Sequence, residues 1–200
     1  MNGLSKFDMM GLLEEHEALM SGHFVLASGS HTPTFMQTAV LLQYPNLAGK
    51  IAKALSLKFP QPVDVVLSPA MGAVIIGQEV ARVRKVRAMF TERINGVMNL
   101  RREFKLQRGE RVLVVEDVLT TGRSTTEVVN LARAADAKVI GVAAIIDRST
   151  SFLPLKVPVR ALISYPMQIY PSGQCPQCQA NVPLTMPGQG SLREKPNLGL

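Results

Sequence analysis

The sequence predicts an α/β fold: a doubly wound parallel sheet flanked by helices, with a small hood on its N-terminal side. Three observations carry this expectation. Apolar runs at 63–67, 112–115 and 138–146 suit strands buried on both faces of a parallel sheet. The first two are each followed by a small-residue loop and a stretch of helical length, so strand–loop–helix units recur along the chain. The chain's 200 residues, 46% of them hydrophobic, suffice for one such domain and an appendage, whereas two full domains are not expected.

In chain order, residues 8–20 place Met9, Leu12, Leu13 and Leu19 among acids, which predicts a short amphipathic helix at the edge of the domain. Residues 22–29, an alternation ended by Gly29, and 30–37 read as two short strands joined by a turn, the hood. His23 and His31 read there as turn or surface residues rather than catalysts. A helix is expected over 46–57, with Leu47, Ile51, Ala54 and Leu55 on one side, Lys50 and Lys53 on the other, and Pro60 and Pro62 beyond its end. The strand at 63–67 leads through Ser68, Pro69, Ala70, Met71 and Gly72 into a helix from 73 to about 84. A strand over 86–93, the Asn95-Gly96 pair and a return strand at 97–100 form a hairpin. Arg101, Arg102, Lys105 and Arg108 make its end a flexible cationic arm. A helix over 126–135, the strand at 138–146 ending on Asp147 and Arg148, and a last strand over 158–166 complete the order.

Bulk properties narrow the function. A net charge of +7 admits several polyanionic partners. With only seven Phe, three Tyr and no Trp, and Phe104 alone among them standing within a basic cluster, a base-stacking platform is poorly supported, and nucleic acid is not an expected partner. No apolar run reaches the roughly 18 residues of a membrane span, and residues 1–6 lack the charged-then-apolar order of a signal peptide. A cytoplasmic protein without a membrane partner is expected. Two cysteines are too few for a disulfide framework, in keeping with a reducing compartment.

The chemistry is concentrated at 111–125. After the apolar run come Glu116 and Asp117, then Val118, Leu119, Thr120, Thr121, Gly122, Arg123 and Ser124, leading into a helix. The first N–H groups of a helix lack internal partners and the helix dipole adds about half a positive charge there, so this loop suits a phosphate. Two acids would repel a bare phosphate unless they face sugar hydroxyls or a cation, so the order of acids then hydroxyl-rich loop reads as ribose then phosphate. No Gly-Lys-Ser/Thr follows the strand and the Gly-x-Gly-x-x-Gly spacing is missing, which excludes a Walker loop and a dinucleotide fingerprint.

The run Glu116 to Ser124 resembles the phosphoribosyl-diphosphate signature of the type I phosphoribosyltransferases. Gly22-His23-Phe24 and the following Leu26, Ser28, Gly29 and His31, with Tyr44-Pro45 later, narrow the resemblance to the orotate phosphoribosyltransferases, over residues 22–188. The resemblance implies a type I phosphoribosyltransferase-like sheet, a homodimer, and transfer of ribose 5-phosphate from phosphoribosyl diphosphate to orotate with Mg²⁺ carried mainly on the diphosphate. Glu116 and Asp117 would hold the ribose hydroxyls and offset charge on the ring, with residues 118–124, Ala70 and Gly72 around the phosphates. Orotate would meet Thr120, Phe35 and Arg148, whose guanidinium fork suits a planar carboxylate. Arg93, Arg101 and Arg102 would serve an arm closing over the diphosphate, of the same chain or its partner. Ala27 stands where many members have a lysine, and the arm lacks histidine, two departures from the family pattern. Transfer to another nucleobase, or a non-catalytic sensor of phosphoribosyl diphosphate, would keep the same cradle.

Cys175 and Cys178 have the spacing of half a four-cysteine zinc site, for which a second subunit could supply the other thiolates. Reduced free cysteines on a tail motif with Pro187 and Gly188 are the favoured reading. One domain over 1–188 is expected, with the hood at about 1–45, the core at about 46–170 and a poorly ordered tail at 189–200.

Overall fold

The computed structural model describes residues 6–26, 28–150 and 153–186. Ala27, Pro187, Gly188 and the 189–200 tail lie outside the described residues. The chain divides into two compact units: one of Met1–Ala18 with Thr38–Pro166, the other of Leu19–Gln37 with Met167–Leu200. The hood expected over 1–45 therefore loses both its ends to the larger unit and gains the C-terminal part of the chain.

The larger unit starts with α1 (Lys6–Glu15), shorter than the helix expected over 8–20. Glu17 takes a positive φ of 53°, and the N–H groups of Glu17 and Ala18 return to the carbonyls of Glu14 and Leu13, a closure that ends the helix and frees Leu19 and Met20 for a strand. A short α2 (Ala39–Leu42), absent from the sequence reading, precedes α3 (Pro45–Lys58). Ala48, Ile51, Ala52 and Leu55 recur at helical spacing on the buried face of α3.

The sheet has β3 (Val65–Pro69), β4 (Arg87–Ile94), β5 (Val97–Leu100), β6 (Arg111–Leu119), β7 (Lys138–Asp147) and β8 (Val159–Ser164), in the order β5-β4-β3-β6-β7-β8. All pairs are parallel except the β4–β5 hairpin. Helix α4 (Val74–Arg84) carries β3 to β4 on one side, while α5 (Arg123–Ala134) carries β6 to β7 on the other. The connections thus diverge between the neighbours β3 and β6. At such a switch point the loops leaving the two strands part and leave a crevice at their carboxyl ends. Val65, Leu67, Val112 and Val114 pack with Val128, Val129 and Ala132 of α5, burying that face of the sheet.

Strand β6 runs past the expected 112–115 because β7 continues the register, pairing Glu116 with Ala144, Val118 with Ile146 and Leu119 with Asp147. Both acids are therefore strand residues. In the stretch after β5, Phe104 and Leu106 pack on the core, and Phe104 meets Phe90 edge-on at 5.4 Å.

In the smaller unit, β1 (Leu19–Val25) and β2 (His31–Met36) form an antiparallel hairpin, as expected. The C-terminal chain returns to both strands: Thr185 bridges Phe24, and Tyr170 exchanges two backbone hydrogen bonds with His31. A 3-10 turn (Ser172–Gln174) and α6 (Pro176–Gln179) carry the two cysteines between these bridges. His23 and His31, expected at a turn or the surface, are 3% and 6% exposed, because the returning chain covers the hairpin face they occupy.

Candidate active site

At the β3–β6 switch point a cavity of about 290 Å³ opens, lined by Pro69, Ala70 and Gly72 from one loop and by Glu116, Val118 and residues 120–125 from the other. Most of the sequence-predicted phosphate residues meet here. Gly122, at φ 68°, caps α5 in the left-handed conformation, where a side chain is strained, and a Cβ would stand 2.8 Å from Leu153. Its carbonyl accepts from both the N–H and the hydroxyl of Thr126, at 2.8 and 2.7 Å, so the first turn of α5 is set with its leading amides at the cavity. The Ala70–Met71 peptide facing it is cis.

The strand pleat sends the two acids to different surroundings. Glu116 lines the cavity floor at 7% exposure, where its Oε2 accepts from the Thr125 hydroxyl at 3.0 Å. Burial, then the charge of Asp117 and a hydrogen bond with it, push its carboxyl up to about 9, so it holds a proton at neutral pH. Asp117 is half-buried and accepts from the Thr38 hydroxyl at 2.8 Å. A Cβ on Gly72 would lie 2.6 Å from the same carboxylate oxygen, so glycine there lets the β3–α4 loop lie against Asp117. Thr38 and Thr125 position the acids, and neither was singled out from the sequence. Thr125 adjoins the signature, whereas no local signal marks Thr38.

Other expectations are corrected in part. The side chain of Leu119 is 1% exposed and belongs to the core, so only its backbone is near the loop. Arg148 is 4% exposed at the end of β7 and outside the cavity lining; its N–H donates to the Leu119 carbonyl at 2.8 Å, and burial lowers the pKa of its guanidinium. Phe35 is half-buried in the smaller unit, its ring 5.8 Å from that of Phe24. Of the three arm arginines, Arg93 reaches the cradle helix, pairing with Glu127 at 2.5 Å and touching Ser124 at 3.5 Å. Arg102 is held within its own hairpin by Glu92 at 3.0 Å, and Arg101 is exposed.

Residues 38–164 match the family described as phosphoribosyl transferase domain. The orotate phosphoribosyltransferase of Caldanaerobacter subterraneus subsp. tengcongensis is 42% identical over 190 residues, 94% of this chain and 100% of that protein. That of Thermotoga maritima is 42% identical over 183 residues, 91% of this chain and 98% of the other. Among solved structures, orotate phosphoribosyltransferase from Aeropyrum pernix shares the fold with a TM-score of 0.66 at 19% identity, covering 78% of this chain and 93% of that one.

Proposed function

This chain belongs to the orotate phosphoribosyltransferases, and we infer that the cavity between the β3–α4 and β6–α5 loops is where it transfers ribose 5-phosphate from phosphoribosyl diphosphate to orotate, forming orotidine 5′-monophosphate and diphosphate. The observation that carries this placement is the meeting of Glu116, a hydroxyl-rich loop and a helix N-terminus at one switch point, with Asp117 held beside it against Thr38 and Gly72.

In this reading the amides of residues 120–124 hold the 5′-phosphate, and the backbone at Ala70 and Gly72 approaches the diphosphate closely. The hydroxyls of Thr120, Thr121 and Ser124 add donors to the same oxygens. Glu116 and Asp117 take the ribose hydroxyls. As the diphosphate departs, positive charge grows on the ribose ring, and the Asp117 carboxylate, fixed by Thr38, offsets it without having to reorganise. A protonated Glu116 leaves the pair with a single negative charge, which limits repulsion of the anionic substrate while keeping a donor and an acceptor for a hydroxyl. The acid pair and the hydroxyls are hard oxygen donors of the kind Mg²⁺ takes, with Asp117 the side chain placed to hold it or its waters. Bound on the diphosphate, Mg²⁺ would supply charge stabilisation to the leaving group.

Arg148 serves the base. A guanidinium fork can bind both oxygens of a planar carboxylate, and orotate, unlike uracil, carries one. Thr120 belongs to the same base-binding role. Arg148→Ala should raise the Michaelis constant for orotate by at least about tenfold and leave that for phosphoribosyl diphosphate within about twofold. Equal increases for both substrates would remove Arg148 from the base.

Arg93 is placed to support the loop through Glu127 and Ser124, while Arg101 and Arg102 close over the diphosphate once Arg102 leaves Glu92. A homodimer, in which that closure reaches the partner's site, and a cytoplasmic location complete the reading. It is supported by the full-length similarity to the named relatives and by the absence, among the described residues, of any helix long and apolar enough to cross a membrane. A solution mass of two chains checks the dimer.

A further inference from the structure

The two cysteines do not stand as half a site awaiting a second subunit. Their partners are the two histidines of the hood hairpin, in the same chain and the same compact unit. One ligand atom from each of His23, His31, Cys175 and Cys178 falls within 4.8 Å of all the others. His23 Nε2 is 2.9 Å from His31 Nδ1, 3.4 Å from Cys175 Sγ and 3.6 Å from Cys178 Sγ, and Cys178 Sγ is 3.2 Å from His31 Nδ1. Bonds of about 2.0–2.1 Å to nitrogen and 2.3 Å to sulfur in a tetrahedron separate the ligand atoms by about 3.3–3.8 Å. These four spacings need shifts of only a few tenths of an ångström to meet that range, and every other pair of ligand atoms lies within 4.8 Å.

Hydrogen bonding alone does not explain the convergence. The Nδ1–H of His23 donates to the Val182 carbonyl at 2.8 Å, which assigns that proton and leaves Nε2 with one lone pair. Three groups crowd that single lone pair: an imidazole nitrogen and two thiols. One lone pair accepts one such donor well, whereas four ligands around one centre account for all of these approaches at once. The bond to Val182 is also the outer support a metal-bound histidine requires, because it fixes the tautomer and the plane of the ring. His31 is anchored through its backbone by the two hydrogen bonds with Tyr170, and α6 is tied to the hairpin by Gln177, whose amide donates to the Gly22 carbonyl at 2.8 Å.

We propose that His23, His31, Cys175 and Cys178 form a structural zinc site that fastens the C-terminal segment to the N-terminal hairpin. Both cysteines are free of a disulfide, as thiolate ligation requires. Binding releases one proton from each thiol, and two thiolates with two neutral imidazoles make the Zn²⁺ site neutral overall, so its burial carries no net charge. All four positions are filled by the protein, leaving none for water or substrate, the mark of a structural site. The need for a staple follows from size. The unit, Leu19–Gln37 with Met167–Leu200, is smaller than the roughly 70–80 residues below which a single core rarely suffices. Its buried apolar side chains among the described residues are Phe24, Met36 and Met167, besides Cys175 itself. The four-residue cluster occupies the place a larger core would fill.

The test uses the full chain purified without chelator. Elemental analysis should find one zinc per chain, and the double variant Cys175→Ser/Cys178→Ser should fall to background. Because loss of the cysteines can itself prevent folding, the unsubstituted protein is also stripped with chelator and titrated with Co²⁺. The expected result is the intense visible bands of tetrahedral cobalt with thiolate-to-metal charge transfer, saturating at one equivalent and abolished by added Zn²⁺. A chain that carries no zinc and gives only the weak spectrum of hydrated cobalt overturns the proposal. So does zinc retained in the double variant, or a Cys175–Cys178 disulfide in the freshly purified protein.

Discussion

The cradle and the histidine–cysteine cluster each bring several ligand-type groups to one point, and they do so by opposite routes. The cradle takes its acids, hydroxyls and amides from the single run 116–125, completed by the short loop at 69–72. The cluster takes two ligands from β1 and β2 and two from a segment almost at the other end of the chain. In the cradle the backbone itself is the receptor, held by a strand, a left-handed glycine and the first turn of α5, so its chemistry is written in local order. In the cluster the receptor exists only after Tyr170 and Thr185 have paired with the hairpin. The first suits a ligand that must arrive and leave. The second suits one that stays.

Asp117→Asn gives the largest separation between the two. The change keeps the shape and the hydrogen bond from Thr38 but removes the charge that offsets the developing positive ring, so turnover should fall at least about tenfold, or about 1.4 kcal/mol in barrier. Zinc content should remain that of the unsubstituted chain. Orotate absorbance and elemental analysis on one preparation read both. Unchanged turnover would detach Asp117 from the transition state.

How far each region could be read from sequence follows from the same contrast. The order of the main strands and helices, the hairpin at Asn95-Gly96 and the loop residues that line the cavity were legible because local periodicity, turn chemistry and helix-end physics determine them. That Glu116 and Asp117 lie within β6 was not, because the strand is prolonged only by its register with β7. Nor was the burial of the Leu119 side chain, which pleating turns into the core. Arg102 looked free because Glu92, its partner, lies across the hairpin. His23 and His31 carried no local mark of a ligand, and Cys175 and Cys178 carried half of one. Their juxtaposition depends on pairing between distant segments, which no window of sequence contains.

A smaller effect sharpens the account of how the two loops of the cradle are fitted. A Cβ at residue 72 would sit 2.6 Å from the Asp117 oxygen that also accepts from Thr38, so the carboxylate cannot yield without giving up that hydrogen bond. Gly72→Ala should therefore lower kcat/KM about threefold to tenfold, the worth of one such bond. In an Asp117→Asn background the same substitution should cost less, since the two residues act through one contact. Equal losses in both backgrounds would place the role of Gly72 in its approach to the diphosphate alone.

The smallest expected effect on turnover, Glu116→Gln, separates the acid pair by its linkage to folding. In the unfolded chain Glu116 ionises near its ordinary value of 4.5, and in the folded protein burial and then the charge of Asp117 hold it protonated up to about 9. Between those values the native state binds one proton more than the unfolded state, so this group makes stability fall as pH rises. Below about pH 4 the two states are protonated alike and the contribution vanishes. Glutamine keeps the shape and the acceptor for Thr125 but cannot ionise in either state. The variant should therefore match the parent near pH 4 and exceed it by at least about 1 kcal/mol at pH 8, which for a chain of this size raises the melting temperature by about 2–4 °C. Thermal melts of both proteins from pH 4 to 9 measure the difference directly, and parallel curves would mean that Glu116 is ionised in the native cradle. In that case the pair would carry two negative charges, and a cation at the acids would become a requirement for binding the anionic sugar rather than an aid to the leaving group.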